Sequence, residues 1–289
     1  MTDARPRPPR SPAAEVWRQL RRHKPAMVSL VVFAVIAAAC LSAPLIAPYR
    51  FDAIDLSGMR QAPSLHHLMG TDDLGRDLFT RVLYGGRISI LIGILSAVLG
   101  TGLGTLVGAV AGYYGGRIDS VLMRLTDVVY AIPALPLLIV LASYTQADPT
   151  SMAVIIGLLS WMGTARVVRG EVLTLRTTAF VEAARALGAS TPRIIGRHIL
   201  PNAVGPIVVG ATLAVGNAII VESSLSFLGL GVQPPVPTWG NLLQDATNTM
   251  ATYPWLTIFP GLAILVVVLA VNFLGDGLQD ALDPTGRST

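Results

Sequence analysis

The residues that could do acid–base, nucleophilic or metal chemistry in this chain are few and scattered. Asp127, Glu171 and Glu222 lie on separate segments, without the nearby nucleophile and base that covalent catalysis requires. His66 and His67 are adjacent, so their side chains point in different directions, and no third ligand is spaced to share a metal ion with them. The sequence therefore predicts no catalytic residue, no cofactor-binding residue and no metal site.

A nucleotide-binding loop is also missing from the sequence. There is no Gly-x-x-x-x-Gly-Lys-Ser/Thr run, the pattern whose backbone amides hold nucleotide phosphates. The chain by itself therefore cannot supply that kind of ATP site.

The strongest functional signal is a polar, arginine-rich segment, residues 178–201, between two long apolar stretches. Its first half favours a helix, and Gly188 can take the left-handed conformation that ends a helix. Ser190 or Thr191 can cap a second helix, with Pro192 in its first turn. We therefore expect two short helices joined by a bend.

These two helices have distinct faces. Arg193 and Arg197 lie together on the second helix, because residues four apart are neighbours on a helix surface. The first helix presents a small, flat surface formed by Glu182, Ala183 and Ala184. The second presents an apolar stripe formed by Ile194, Ile195, His198 and Ile199, and Pro201 ends the segment. Such an element can fit a groove on a partner and transmit a rigid-body push. An ordinary amphipathic loop at the membrane interface is the alternative.

The composition places the chain in a membrane. Hydrophobic residues make up 52% of its 289 residues and charged residues only 13%, against about 25% charged in a soluble domain. The mean hydropathy is +0.61. A single cysteine, Cys40, excludes an internal disulfide framework. The net charge of +4 is weak support for a nucleic-acid partner, and we expect none.

Six stretches match or approach the roughly 20 mostly apolar residues that a membrane helix needs. They are residues 26–47, 88–113, 128–147, 151–165, 199–221 and 255–275. The predicted fold class is an all-α integral membrane protein with six transmembrane helices and cytoplasmic helices between spans four and five. The predicted regions are a tail (1–25), a first span (26–48), an outer loop (49–87), a core with five spans (88–280) and a second tail (281–289).

The positions of Lys and Arg predict that both termini are cytoplasmic, because short loops on that side carry more of these residues. With the N-terminus inside, the interior segments hold Lys24 and most of the arginines. The outer arginines are Arg50, Arg60, Arg76, Arg81 and Arg87, matched by Asp52, Asp55, Asp72, Asp73 and Asp77. The first apolar run has 22 residues, against about 7–15 in a signal peptide. We therefore expect an uncleaved first span.

Four glycines in the second span, Gly100, Gly104, Gly108 and Gly112, recur every four residues. Residues at this spacing share one helix face, where small side chains let a second helix approach closely. We therefore expect this face to pack against another helix, although glycine is also simply common in membrane helices.

Arg124 and Asp127 lie three residues apart at the start of the third span, and we expect them to form an intramembrane charge pair. One interpretation is a proton or ion relay. The other, which the position near the cytoplasmic end favours, is a structural pair in which Arg124 reaches the interface. Pro133 and Pro136 then interrupt the helix.

The outer loops carry two further expectations. Thr71 can cap a helix whose first turn holds Asp72 and Asp73. Residues 225–253, with Pro234 and Pro235, are expected to form an ordered extended loop rather than a helix.

Several motifs resemble one family of membrane proteins. Glu182-Ala183-Ala184, followed by Gly188 and Leu200-Pro201, resembles the signature loop of ABC-importer permease subunits. Residues 70–77, residues 222–235 with Trp239-Gly240, and residues 275–284 are similar to motifs of the dipeptide, oligopeptide and nickel permeases, specifically the second, C-type permease.

The resemblance implies a mechanism and a set of partners. In that family the loop docks on an ATPase subunit and relays its closure, which would give this role to Glu182, Ala183, Ala184, Gly188, Arg193, Ile194, Arg197 and Pro201. The implied partners are a second homologous permease, two ATPase subunits carrying ATP and Mg²⁺, an extracytoplasmic substrate-binding protein, and the lipid of a bacterial plasma membrane. Peptides are the favoured substrates, and nickel or another small solute is the alternative. An ion-coupled secondary transporter using Asp127 or Glu222 is the alternative of another class.

Overall fold

The apolar stretches form helices in the computed structural model, which describes residues 12–145 and 148–282. The α-helices of the described residues are α1 (Pro12–Leu20), α2 (Lys24–Leu41), α3 (Ala43–Ile46), α4 (Leu78–Tyr114), α5 (Gly116–Ala131), α6 (Ala134–Ser143), α7 (Pro149–Leu158), α8 (Trp161–Leu175), α9 (Ala179–Ala186), α10 (Thr191–Ile194), α11 (Val204–Phe227), α12 (Trp239–Asp245) and α13 (Trp255–Leu282). A 3₁₀ turn covers Leu56–Gly58, and a π-helix covers Ile195–Ile199.

Four helices are long and apolar enough to cross a membrane unaided, namely α2, α4, α11 and α13. Two bent pairs hold the remaining apolar segments: α5 and α6 meet at 80°, and α7 and α8 at 44°. Pro133 precedes α6 and has no amide hydrogen, and it disfavours helical geometry at Ile132 before it, so the first bend falls there. The described residues therefore contain four to six spans, and the count of six stays a prediction.

α4 lies at the centre of the bundle. α7 and α8 pack along it, and α11 packs against it and against α13, which in turn contacts α2. Three apolar clusters hold these helices together. One joins α2, α4, α11, α12 and α13, another joins α4, α6, α7 and α11, and the third joins α4 and α8 to residues 181–199.

α4 extends beyond the predicted second span. The helix begins at Leu78 rather than residue 88, and the side chain of Asp77 accepts a hydrogen bond from the amide of Thr80 at 2.8 Å. The predicted helix capped by Thr71 is wrong. Asp72 accepts the amides of Leu74 and Arg76, both at 2.9 Å, so its carboxylate holds a tight turn where a helix was expected.

A second correction concerns residues 225–253, where α12 interrupts the predicted extended loop. Thr238 and Asn241 form a capping box: the Thr238 hydroxyl accepts the Asn241 amide at 3.2 Å, and the Asn241 side-chain oxygen accepts the Thr238 amide at 2.8 Å. The indole of Trp239, fully buried, donates to the carbonyl of Val82 at 3.0 Å. α12 is therefore fastened to the outer end of α4.

Candidate coupling loop and the helices that hold it

The segment 178–201 folds as α9, a bend, α10 and a π-helix. Gly188 has φ +78°, a conformation that residues with a Cβ rarely adopt. Its amide donates to the carbonyl of Arg185 at 3.0 Å, and the amide of Ala189 donates to the carbonyl of Ala184 at 3.1 Å. These two bonds are a Schellman motif, which satisfies the last carbonyls of α9. The bend is therefore fixed by backbone hydrogen bonds.

The second half of the loop is wound more loosely than an α-helix. The amide of Leu200 donates to the carbonyl of Ile195 at 2.8 Å, which is the i to i+5 bond of a π-helix. Pro201 follows directly, and the side chain of Asn202 donates to the carbonyl of His198 at 2.6 Å. The π-helix ends at Ile199, and turns over residues 200–203 lead into α11.

One face of the loop is buried against the bundle. Val181, Ile194 and Ile199 are 0–1% exposed and Ala184 is 8% exposed. They form one apolar cluster with Ala109 of α4 and with Val168 and Val172 of α8. The loop therefore contacts both α4 and α8.

The opposite face is exposed. Glu182, Ala183, Arg193 and Arg197 are all solvent-accessible. Leu187, directly before the bend, is 89% exposed. An exposed large apolar side chain on the same loop as exposed arginines has the character of a docking surface.

The four spaced glycines of α4 lie against α8. A Cβ added at Gly108 would lie 2.4 Å from the carbonyl oxygen of Ala165, and one at Gly104 would lie 2.5 Å from that of Trp161. One at Gly112 would lie 2.8 Å from the carbonyl oxygen of Arg169, and one at Gly100 would lie 3.1 Å from that of Gly157, near the end of α7. The backbones of the two helices are thus nearly in contact, and a movement of α8 must be passed to α4.

Polar contacts that the sequence did not reveal join the same helices near the loop. Arg169 of α8 forms a two-pronged ion pair with Asp119 of α5, at 2.5 and 2.6 Å. Arg176, at the end of α8, donates to the carbonyls of Gly112 and Tyr113 at 3.1 and 3.4 Å. The partners lie 50 to 64 residues apart in the chain, so no local spacing could have predicted them.

The predicted pair of Arg124 with Asp127 is wrong. Within the described residues, Asp127 forms its ion pair with Arg166 of α8, at 2.7 Å, and the Arg166 guanidinium also lies 4.3 Å from the ring centre of Tyr130. α5 packs against α8, which brings Arg166 within reach of a side chain that the sequence matched with a neighbour on its own helix. Both members of the observed pair are exposed.

Glu222 is fully buried and serves as a hydrogen-bond acceptor between three elements. Its carboxylate accepts the hydroxyls of Ser226 at 2.7 Å and of Ser89, on α4, at 3.0 Å. The Ser89 hydroxyl also accepts the amide of Trp239, the first residue of α12, at 3.2 Å. Glu222 therefore fastens α11 to α4 and α12.

The histidines of the outer loop are also placed. Nδ1 of His67 lies 2.9 Å from Oδ1 of Asp77, the residue that caps α4, and the His67 ring stacks on Tyr49. His66 is exposed. The contact of His67 is thus with the helix cap.

The sequence profiles of two protein families match the chain. Residues 104–287 match the family described as "Binding-protein-dependent transport system inner membrane component". Residues 11–63 match the "N-terminal TM domain of oligopeptide transport permease C".

Curated relatives cover nearly the whole chain. The oligopeptide transport system permease protein OppC of Escherichia coli K12 is 44% identical over 94% of this chain and 92% of its own length. The dipeptide transport system permease protein DppC of Alkalihalophilus pseudofirmus is 40% identical over 96% and 91%. The glutathione transport system permease protein GsiD of Escherichia coli O6:K15:H31 is 42% identical over 95% and 91%.

A solved structure shares the fold. A chain of the MetNI methionine ABC transporter, in an inward-facing conformation, superposes with a TM-score of 0.54 at 19% identity, covering 71% of this chain and 98% of that one. The resemblance drawn from the motifs is confirmed by the profiles and the relatives. The chain therefore belongs to the family of binding-protein-dependent inner-membrane transport components, as a permease of the oligopeptide and dipeptide ABC-importer type.

Proposed function

We propose that the chain forms part of the transmembrane path of an ATP-driven peptide importer, and that residues 178–201 receive the movement of an ATPase subunit. The observation that carries this proposal is the two-faced loop. Val181 and Ile194 are buried against α4 and α8, while Leu187 and the two arginines are exposed on the other side. A surface of this kind fits a groove on a second protein.

The contacts behind the loop support a rigid-body mechanism. The loop shares an apolar cluster with α4 and α8, and the glycine face leaves no space between those two helices. A push on the loop therefore displaces α4 and α8 together, because a packed interior does not deform continuously. Closure of the ATPase subunits would in this way switch the path between inward and outward access.

The remaining partners follow from the family. A second, homologous permease would complete the path, two ATPase subunits would carry ATP and Mg²⁺, and an extracytoplasmic binding protein would deliver substrate. Peptides are the favoured substrates, because the relatives are named for oligopeptides, dipeptides and glutathione. The chain would lie in a bacterial plasma membrane. Both of its termini would be cytoplasmic, because the segments assigned to that side carry the excess of arginines.

Reconstitution tests the energy source. The permease pair, the ATPase subunits and the binding protein are placed in proteoliposomes, and uptake of a radiolabelled dipeptide is measured. We expect uptake only with ATP present on the side of the ATPase subunits. Uptake driven by a proton or sodium gradient without the ATPase subunits would contradict the proposal and favour the ion-coupled alternative.

Thiol labelling tests the orientation. In a Cys40→Ala background, Leu187→Cys should react with a membrane-impermeant maleimide only after the cells are opened, whereas Leu65→Cys, in the outer loop, should react in intact spheroplasts. Both parent side chains are strongly exposed, 89% and 96%. Labelling of Leu187→Cys from outside would reverse the proposed orientation.

A further inference from the structure

A cavity of about 270 Å³ lies between residues 72–81 and α12, at the end of the bundle opposite the loop 178–201. Its charged lining residues are Asp72, Asp73, Arg76, Arg81 and Asp245, of which Asp73 is paired with Arg60 at 2.6 Å, and the rest is mainly leucine. It is distinct from the loop that the proposed function uses. Two arginines beside an apolar wall can bind an anionic group that is attached to an apolar one.

Arg81 is the least expected residue in the cavity wall. Its side chain is 1% exposed, and its Nη1 donates to Asp72 at 2.5 Å. Its Nε is buried and has no hydrogen-bond partner among the described residues. A buried N–H of a charged group without an acceptor is costly, so Arg81 retains capacity for a further acceptor.

Asp72 cannot supply that acceptor, because both of its oxygens are engaged. Oδ1 accepts the amides of Leu74 and Arg76, and Oδ2 accepts Nε of Arg76 at 2.7 Å and Nη1 of Arg81. Burial alone would raise the pKa of Asp72, but the two guanidiniums and the amides hold that pKa below its ordinary value. Asp72 thus balances one of the two arginine charges.

The second arginine charge faces Asp245 of α12, which is held loosely. Oδ2 of Asp245 lies 3.5 Å from Nη1 of Arg81 and 3.6 Å from Nη2 of Arg76. These distances exceed those of ordinary charged hydrogen bonds. The Asp245 side chain is 38% exposed. Burial raises the pKa of Asp245, against the opposing pull of the two arginines. Asp245 is therefore a weak and removable partner.

We infer that this cavity binds a carboxylate attached to an apolar group, the chemistry found at the C-terminus of a short peptide, with Arg76 and Arg81 as the partners of the carboxylate. Asp245 is its internal competitor. The leucine wall favours a ligand in which an apolar group adjoins the carboxylate. The inference rests on the proposed function, since it names a group of the proposed peptide substrate.

The test uses this chain with its partner permease in nanodiscs, without ATPase subunits. Binding of N-acetyl-leucine and of N-acetyl-leucine amide is measured by saturation-transfer NMR. We expect the acid to bind about tenfold or more tightly than the amide, because a charged hydrogen bond is lost in the amide. Equal binding of the two, or no binding of either at about 50 mM, would overturn the inference.

Substitution of Asp245, the internal competitor, should tighten binding of the acid, a result that misfolding cannot produce. Asp245→Asn should tighten binding of the acid by about three- to tenfold, since it removes a like charge, and should leave the amide unchanged. Asp52→Asn is the matched control, because Asp52 is an outer-loop carboxylate paired with its own arginine, Arg50, away from the cavity. Arg76→Gln should abolish the preference for the acid. Unchanged or weaker acid binding in Asp245→Asn would refute the inference, while ATP-driven uptake, assayed separately, would still decide the proposed function.

Discussion

The two ends of this permease are built on opposite principles. At one end, the loop 178–201 buries an apolar face and exposes arginines, and its shape is set by backbone hydrogen bonds around Gly188. At the other end, the outer motif around Asp72 buries charged groups, and Asp72 holds Arg76 and Arg81 in ion pairs at 2.7 and 2.5 Å. The difference indicates that the first end is built to dock a partner and move with it, whereas the second end holds a fixed geometry.

The largest expected effect comes from breaking the buried charges of the outer end. Asp72→Ala leaves Arg81 buried without its main partner, and should cost about 3–5 kcal/mol of stability. Asp73→Ala is the matched control, because the side chains of Asp73 and its partner Arg60 are both more than a third exposed, so the pair at 2.6 Å is screened by solvent. Cys40 is the single cysteine and is buried, so its reaction with a thiol dye on heating reports unfolding. Equal melting temperatures for Asp72→Ala and Asp73→Ala would contradict the stabilising role of the buried outer charges.

The next effect probes the glycine contact behind the loop. Gly108→Ala places a Cβ 2.4 Å from a backbone oxygen of α8, and should cost about 1–3 kcal/mol because the helices must separate. Gly102→Ala, in the same helix, meets no atom within 4 Å and should cost nothing. The same thiol assay distinguishes them. If both variants melt like the wild type, α4 and α8 are not locked together, and the rigid push fails.

Substitutions at the bend of the loop should affect ATP-driven uptake more than the stability of the protein. Gly188→Val forces a β-branched residue into the left-handed conformation, at about 1–2 kcal/mol, and should lower ATP-driven uptake several-fold. Gly188→Asn is the control, since asparagine tolerates this conformation, and should retain most uptake. Wild-type uptake and ATPase association in Gly188→Val would show that the bend is dispensable.

The smallest effect on stability, and the most selective effect on assembly, is expected from the exposed arginines. Charge reversal at Arg193 or Arg197 should leave the melting temperature within the range of surface changes, about 0.5 kcal/mol, yet weaken co-purification of the ATPase subunits. Arg87→Glu, exposed near the outer end of α4, is the matched control and should not affect that association. Loss of binding-protein docking with intact ATPase association would contradict the assignment of this face.

The sequence predicted those features that local rules decide. A single glycine, Gly188, suffices to end the first helix of the loop. Uncharged apolar stretches predict the spans without any knowledge of the helices that pack against them. The loop and its polarity were therefore readable from residues 178–201 alone.

The features it missed depend on partners distant in the chain. Arg81 looked like an outer-loop charge, because nothing in its own segment shows that Asp245 of α12 lies 3.5 Å from it, in addition to its main partner Asp72. Asp127 was matched with Arg124 on its own helix, although Arg166 of α8 holds it. The prolines before α12 concealed a helix that begins at the capping box of Thr238.

The most direct test of the contrast between the two ends is photo-crosslinking in the assembled transporter. A benzophenone maleimide is attached to Ala183→Cys, on the exposed face of α9, in a Cys40→Ala background, and a matched probe is attached to Leu65→Cys in the outer loop. We predict that light joins the Ala183 probe to an ATPase subunit and that the Leu65 probe never does so. An Ala183 adduct with the binding protein, or none with an ATPase subunit while the complex remains intact, would contradict the assignment of residues 178–201 as the coupling element.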